Sequence, residues 1–345
     1  NSATFNEPFE AGVTVTAYDA AGTPTSTTTD ASGAYSFTGL TLPLRIEFSG
    51  YQTSDYSAPK GNTNNTSVQF YTVASSAANF GVNYPSDYCQ SNPKVAVTSF
   101  KAGDQTAATY TQKTADAVII FDEQATGTSP TKVEGASQEE VATTYGQAYD
   151  RRTKYLYTAA FIKRHSGLSS NGAGAIFRTD ISNPASPGNP TLWVTIPNVG
   201  YTQTNSARGL PANASTSTAD ATAMSAVGKQ GLGDIDISED GLTLYVMNMN
   251  DKSVYPVNTI TGTIGTPLSV PDPGCSKGAW RPFGLEVYKG VLYVGGVCDG
   301  SGSGATTLDL TAQIFPYNIA SGTWGSGLFG GSGYSLDYDG VAGND

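Results

Sequence analysis

The sequence contains few of the residues that zinc sites, membrane spans and histidine-based catalysis require. It holds one histidine and three cysteines among 345 residues. Zinc sites draw their ligands mainly from Cys and His, often with CxxC spacing, so this composition excludes a zinc site. No segment approaches the roughly 20 consecutive apolar residues of a membrane-spanning helix, so we expect no membrane insertion by this chain.

Positive charge is also scarce. Lys and Arg total 18 against 29 Asp and Glu, which gives a net charge of −11, and charged residues make up only 14% of the chain. Nucleic acids and anionic lipid surfaces bind clustered Lys and Arg, so this balance excludes both as partners. The chain begins at Asn1 without a Met or an apolar signal core, which predicts a processed, secreted product.

Glycine, proline and hydroxyl residues are abundant instead, which indicates strands and turns rather than helices. The clearest unit is residues 231–258, where Ile235 and Ile237 alternate with Asp234 and Asp236 ahead of a turn at Gly241. Alternation with a period of two is typical of a strand with one buried face. Strand, turn, strand, turn and strand together predict most of a four-stranded propeller blade.

The unit recurs, as a propeller requires, because one blade cannot bury its faces alone. Copies at 146–161 and 283–296 align three tyrosines, Tyr157, Tyr245 and Tyr293. A weaker copy, Asp116 to Asp122, predicts an outer strand of an earlier blade, and residues 202–229 predict a long loop. At about 42 residues a blade, residues 95–345 predict five to six blades.

These patterns predict an all-β fold in three parts. Residues 1–85 show strands at intervals of about 8–12 residues, typical of a small immunoglobulin-like, B-type β-sandwich. Residues 86–114 are expected to be a linker with one strand, Val95 to Phe100. Residues 115–345 are expected to form a β-propeller, and the sequence shows no sign of ring closure, which leaves open whether the propeller closes within this chain.

Two stretches resemble known families. AGVTVTAYDAAGTPTSTTTDASGAYSFTGL, with LRIEFSGY and ANFGVNY further on, resembles the B-type repeat of serine-aspartate surface proteins, a relative of the collagen-adhesin B-type sandwiches. The region from Asn92 onward resembles, more loosely, a YVTN-like propeller. The combination implies a bacterial surface protein with a sandwich stalk before a propeller. Only residues 6–10 stand where the sandwich family has an Asp-rich calcium loop, which argues against calcium in the sandwich.

Three cysteines predict one disulfide. Cys275 and Cys298 flank one predicted hairpin, so we expect them to be bonded, as is typical of an oxidising compartment. Cys89 would then be a free thiol or an intermolecular partner. The glycosylation candidates in N-x-S/T patterns are Asn64, Asn65 and Asn213.

Calcium is the only cofactor that the sequence suggests. Asp299, Asp337 and Asp339 offer hard oxygen ligands on flexible loops, although neither stretch has the spacing of an EF-hand. A solvated turn is the alternative interpretation of each.

Catalytic residues are sparse. His165 stands beside Ser166, but no GxSxG motif accompanies it, which favours a loop-facing histidine. Asp234 and Asp236 share one face of a strand, so they are a candidate acidic pair for glycan chemistry or cation binding; the alternative is that they satisfy backbone N–H groups. The other acidic candidates are Asp122, Glu123, Asp150, Glu286 and Asp299. The aromatic residues that would either stack on sugars or pack within the repeats are Trp193, Trp280 and Trp324.

The leading interpretation is a secreted, non-enzymatic surface or matrix protein. Its sandwich would be a stalk, and its propeller region would bind neighbouring copies, as in a filament or sheath, or cell-surface or matrix glycans. The alternatives are a propeller hydrolase or lyase that uses the acidic pair, and a lectin-like glycan-binding module.

Overall fold

The computed structural model describes residues 9–51, 56–57, 66–83, 92–328 and 334–335. The chain divides into two compact units, Asn1–Pro93 and Lys94–Asp345. All paired strands of the described residues are antiparallel. Helix in that part of the chain is confined to α1 (Gln138–Val141), α2 (Ala221–Ala226) and one 3₁₀ turn, Thr307–Asp309. The predicted all-β fold is confirmed.

The first unit is a small sandwich. A four-stranded sheet in the order β2-β1-β3-β5 accompanies a two-stranded ladder of β4 and β6. Alternate residues of β1 and β3 enter one core, where the Phe48 ring stacks on Phe80 at a centroid distance of 4.9 Å. The strands are β1 (Thr14–Tyr18), β2 (Pro24–Thr28), β3 (Leu44–Ser49), β4 (Tyr56–Ser57), β5 (Val68–Tyr71) and β6 (Val82–Asn83).

The described part of the second unit contains four sheets, numbered in chain order. Sheet 1 contains β7 (Lys94–Thr98), β8 (Asp116–Asp122) and β9 (Lys132–Ser137). Sheet 2 contains β10 (Thr144–Asp150), β11 (Tyr155–Ala160), β12 (Ala175–Asp180) and β13 (Thr191–Thr195). Sheet 3 contains β14 (Leu232–Ile237), β15 (Thr243–Asn248), β16 (Ser253–Asn258) and β17 (Leu268–Ser269). Sheet 4 contains β18 (Trp280–Tyr288), β19 (Val291–Cys298), β20 (Thr311–Asn318), β21 (Thr323–Trp324) and β22 (Tyr334–Ser335).

Local sequence explains the central hairpins. Gly241 joins β14 to β15 at φ +70°, a conformation that residues with a Cβ resist. The turns after β10, β15 and β18 use Lys154, Lys252 and Lys289, all with positive φ. The aligned tyrosines lie on β11, β15 and β19, as the repeat predicted.

The sheets stack face to face in chain order. One core lies between sheets 1 and 2, a second between sheets 2 and 3, and a third between sheets 3 and 4. The first strands of sheets 2, 3 and 4 (β10, β14 and β18) pack against one another in sequence. Successive antiparallel sheets with adjacent first strands are the arrangement of a propeller.

The strand predicted at Val95 to Phe100 lies at Lys94–Thr98 and pairs with β8 at the start of the second unit. The structure corrects three other details of the prediction. Asp116–Asp122 is the middle strand of its sheet, because β7 and β9 flank it on both sides. The expected loop at 202–229 contains α2. The described residues form four sheets rather than five to six blades, since long connections, such as that between β13 and β14, take up chain that the length estimate assigned to strands.

Candidate functional site

The predicted acidic pair lies between sheets 3 and 4. Asp234 and Asp236 point from β14 toward β18, which is the edge strand of sheet 4. The Leu285 N–H donates to Oδ2 of Asp234 at 3.3 Å, and the Val287 N–H donates to Oδ2 of Asp236 at 2.6 Å. The two carboxylates therefore satisfy donors that a neighbouring strand would otherwise have to pair.

The remaining oxygens of the pair also accept backbone hydrogen bonds. Oδ1 of Asp234 accepts the N–H of Ile235 at 3.0 Å, and Oδ1 of Asp236 accepts the N–H of Ile237 at 2.8 Å. All four carboxylate oxygens are thus directed at the backbone. The sequence interpretation in which these residues satisfy N–H groups describes this geometry.

Burial dominates the electrostatics of the pair. It raises the pKa of Asp236 to about 6, against the hydrogen bonds from Val287 and Ile237 and with a smaller contribution from the charge of Glu286. Burial raises the pKa of Asp234 in the same direction. A carboxyl group with a pKa near 6 is the kind that enzymes use as a general acid, which keeps this chemistry open as an alternative.

His165 and Ser166 do not form a nucleophile–base pair. The Ser166 hydroxyl lies 2.6 Å from that of Thr143 and donates to the Lys101 carbonyl at 2.7 Å. The backbone N–H of His165 donates to Asp220 Oδ2 at 2.7 Å, and His165 itself has a φ of +70°. Both residues belong to a network of loops between sheets 1 and 2. This position agrees with the interpretation of His165 as a loop-facing histidine.

A fully buried ion pair holds that network together. Arg208 donates through Nε and Nη2 to the two oxygens of Asp220 at 3.1 and 2.7 Å, and both side chains are 0% exposed. Nη2 also donates to the carbonyls of Lys163 and Ser166. Burial opposes ionisation of Asp220, but the hydrogen bonds and charge of Arg208 hold its pKa below the ordinary value.

The calcium candidate that lies within the described residues already has a cation beside it. Asp299 Oδ2 accepts Nε of Arg281 at 2.7 Å, and Oδ1 accepts two backbone N–H groups. Burial opposes ionisation, but these bonds lower the pKa of Asp299 below its ordinary value. No group of three or more His, Cys, Asp or Glu in the described part of the chain is arranged to hold a metal. Asp337 and Asp339 lie outside the described residues, so calcium there stays a prediction.

The predicted disulfide is confirmed: Cys275 and Cys298 are bonded, with their Cα atoms 5.5 Å apart. Asn213 is exposed, and its side chain accepts the Ser215 N–H at 3.0 Å. Three further candidates, Cys89, Asn64 and Asn65, lie outside the described residues.

The three tryptophans contribute to packing. Trp280 is 1% exposed in the core between sheets 3 and 4. Trp193 and Trp324 each lie against a tyrosine, with ring centroids 4.8 and 5.0 Å apart. The packing interpretation therefore describes all three.

The face of sheet 4 that points away from sheet 3 has no role in the contacts described so far. We call it the open face. It is mainly apolar, with Tyr288 54% exposed and Val297 37% exposed. The side chains that define it are Glu286, Tyr288, Tyr293, Val297, Ile314 and Pro316.

The open face repeats the face of sheet 3 that sheet 4 covers. Each face has one row of an acidic residue, a tyrosine and a proline, paired across three adjacent strands. The rows are Asp236, Tyr245 and Pro256 in sheet 3, and Glu286, Tyr293 and Pro316 in sheet 4. In sheet 3 the row is covered, since Tyr245 is only 5% exposed and Asp236 accepts the Val287 N–H.

Sequence reasoning missed this row, although a signal for it exists. The pattern P-x-N-x-x-x-G-x-x-G begins at Pro256 and again at Pro316. In both copies the second glycine donates its N–H to the proline carbonyl at 2.8 Å. The pattern therefore marks equivalent strands of sheets 3 and 4.

These observations define the class as an all-β protein that joins a small sandwich to stacked, propeller-like antiparallel sheets. No helix in the described portion is both long and apolar enough to cross a membrane. No family model matches the chain.

Two relatives in Dictyostelium discoideum cover most of this chain. Colossin-C is 27% identical over 338 residues, which are 90% of this chain and 31% of Colossin-C. Colossin-B is 26% identical over 286 residues, 79% of this chain and 7% of Colossin-B. This chain therefore spans less than a third of either relative.

Among solved structures, the GH43 BlXynB protein of Bacillus licheniformis is 11% identical, with a TM-score of 0.35 over 67% of this chain and 43% of that one. The fold assignment stands on strand pairing and stacking alone.

Proposed function

We propose that the protein is an extracellular, non-enzymatic structural or adhesive protein. Its sandwich serves as a stalk module, and its propeller-like unit binds neighbouring copies, as in a filament or sheath, or cell-surface or matrix glycans. The observation that carries the proposal is the open face of sheet 4. A mainly apolar sheet surface of this kind marks an interaction site when it is left uncovered.

The chemistry of the chain supports an extracellular setting. Disulfides such as Cys275–Cys298 persist in oxidising compartments and are rare in reducing ones. The scarcity of Lys and Arg is also consistent with a protein that does not bind nucleic acid or anionic lipid.

Sedimentation velocity tests the proposal on the whole chain. We expect oligomers or polymers to appear as the concentration rises from about 1 µM to about 500 µM, the range in which weak interfaces become populated. A chain that stays monomeric throughout and binds no glycan on an array would overturn the proposal.

A glycan-active enzyme is the second candidate, and the raised pKa of Asp236 favours it. A glycosidase needs one carboxyl group that is protonated near neutral pH and a second that is ionised. An assay of a polysaccharide panel with the wild type and with Asp234→Asn/Asp236→Asn tests this directly. Hydrolysis that disappears in the double variant would establish the enzyme and replace the first proposal.

A lectin-like module is the third candidate, and an aromatic group favours it. Tyr145 is 44% exposed, and its ring lies 5.2 Å from that of Phe161 and 5.3 Å from that of Phe283. Exposed aromatic faces stack on sugar rings. If the wild type binds glycans on an array and Tyr145→Ala does not, the result would support this function. Unchanged binding by Tyr145→Ala would show that this aromatic group does not bind the glycan.

A further inference from the structure

We infer that sheet stacking continues between molecules: the open face of sheet 4 in one copy docks on the outward face of sheet 1 in a second copy, head to tail. This inference rests on the proposed self-association and adds which two surfaces meet. It follows from the way in which each sheet of the second unit is already joined to the next.

The first argument is the repeated row on sheet 4. Where the row occurs in sheet 3, it receives the next sheet: Asp236 accepts a backbone N–H of β18, and Tyr245 lies under sheet 4. In sheet 4 the same positions leave Glu286 exposed and Tyr293 only half-buried. The open face therefore has the residues of a sheet-receiving surface, and no sheet among the described residues covers it.

The second argument is a matching surface at the other end of the stack. Ala96 and Val118 of sheet 1 pack into the core shared with sheet 2. Val95 pairs with Phe121, and Val97 pairs with Ile119, so these four side chains alternate onto the opposite side of the sheet. We call this the first-sheet face. Its centre is apolar and accessible, with Val97 41% exposed.

Charged side chains border both faces. On the open face Glu286 is the cross-strand partner of Tyr293, and its side chain is exposed. On the first-sheet face Lys132 is the cross-strand partner of Phe121 and Glu134 is that of Ile119; the Lys132 ammonium group pairs with Asp116. The apolar centres of the two faces, rather than opposite charges, are therefore the surfaces that meet.

The third argument is the direction of stacking. Sheets 2 and 3 use one face for the preceding sheet and the other for the following sheet. No core of buried residues in the described part of the chain joins sheet 4 to sheet 1. The two unused faces therefore stand at opposite ends of one series, and a contact between different surfaces propagates into rings or filaments.

Two charge-introducing variants test the inference. Tyr288→Arg introduces a charge into the open face, and Val97→Arg introduces one into the first-sheet face. Both positions are substantially exposed, so the unit should still fold with either substitution. Ile260→Arg is the matched control, because Ile260 is 67% exposed in the turn after β16 and lies on neither face. Far-UV circular dichroism and thermal melts of all three confirm folding.

Sedimentation velocity then gives a distinctive result. Each face variant alone should be monomeric, with association weakened at least ~10-fold, as expected when a charge replaces an apolar contact in an interface. An equimolar mixture of the two variants should form dimers but no larger species, because each partner retains one intact face. The Ile260→Arg control should assemble like the wild type.

Other outcomes separate the inference from the proposed function. If Val97→Arg assembles as well as the wild type while Tyr288→Arg does not assemble, the head-to-tail contact is wrong, and a symmetric contact through the open face replaces it. If neither face variant affects assembly, the inference fails while self-association stands. If the wild type remains monomeric at every concentration, self-association itself fails. Should either arginine variant fail to fold, Tyr288→Ser and Val97→Ser remove the apolar contacts of the same two faces with milder substitutions.

Discussion

Two joints of the second unit are built by different means. Between sheets 3 and 4, edge strands lie side by side, and carboxylates of β14 accept N–H groups of β18 above an apolar core. Between sheets 1 and 2, no described strand of sheet 1 packs along β10 in this way. Loops fill the gap there, held by the buried pair of Arg208 and Asp220.

The difference shows what fixes the partner of a sheet. At the joint of sheets 3 and 4, carboxylates of one sheet accept hydrogen bonds from the backbone of the other, in addition to the shared apolar core. At the joint of sheets 1 and 2, residues distant in sequence must meet: Asn205 donates to Asp104 and to the Leu168 carbonyl, both at 2.8 Å. The acidic strand of the first joint is a local, repeatable sequence feature, although its donors lie in a later strand. The second joint consists of contacts between loops that are distant in sequence.

The largest effect is expected at the loop joint. Arg208→Met removes the cation from Asp220, whose side chain is 0% exposed. An uncompensated buried charge costs about 3–5 kcal/mol, so the free energy of unfolding should fall by about that amount in urea denaturation. A loss below about 1 kcal/mol would mean that the pair adds little to this joint.

A second change in the same background isolates the charge. Asp220→Asn neutralises the carboxylate, and asparagine tolerates the φ of +42° that this position adopts. The double variant should recover part of the loss, because no buried charge remains. If Arg208→Met does not fold, Arg208→Lys offers a milder test, since it keeps the charge but loses the two-point contact.

Sequence reasoning reached the repeatable joint and missed the other. Alternation around Gly241 predicted β14 and β15, and placed Asp234 and Asp236 on one face. Hairpins are specified by neighbouring residues, so their turns and strands can be predicted without knowledge of the fold. The spacing of Cys275 and Cys298 also sufficed for their bond, because both flank one hairpin.

The loop joint could not be read in the same way. Its members, such as Gln105, Ser166 and Arg208, belong to loops with no periodic pattern, and only folding brings them together. The hydrogen-bond donors of the acidic pair could not be predicted from the sequence either. They lie in a distant strand: the contact between Leu285 and Asp234 spans 51 positions. Side chains that act on distant backbone leave no local signature.

An intermediate effect is expected at the carboxylate joint. Asp236→Ala leaves the Val287 N–H without its acceptor, and Val287 is only 8% exposed. A buried unpaired donor costs about 1–3 kcal/mol, so denaturation at neutral pH should show a loss in that range, reduced by relief of the buried charge.

A neighbouring contact provides the control for Asp236→Ala. Glu239 accepts the Lys289 N–H at 2.7 Å in the same series of contacts, but at an exposed position. Water can replace that carboxylate, so Glu239→Ala should cost less than about 0.5 kcal/mol. Equal losses in the two variants would show that the joint does not depend on burial of its donors.

The smallest expected effect is the pH dependence of the same joint. Burial raises the pKa of Asp236 from 3.8 to about 6 in the folded protein. Between these values the unfolded carboxyl has lost its proton while the folded one retains it, so stability falls as the pH rises through that window. After allowance for solvent screening, the fall attributable to Asp236 is on the order of 1 kcal/mol.

The variant Asp236→Asn isolates this effect, because asparagine cannot titrate. Urea denaturation at about pH 4 and about pH 7 should show that the free energy of unfolding of the variant rises relative to that of the wild type at the higher pH. The opposite sign would mean that the hydrogen bonds from Val287 and Ile237 outweigh burial, and that the joint is held by a fully ionised carboxylate.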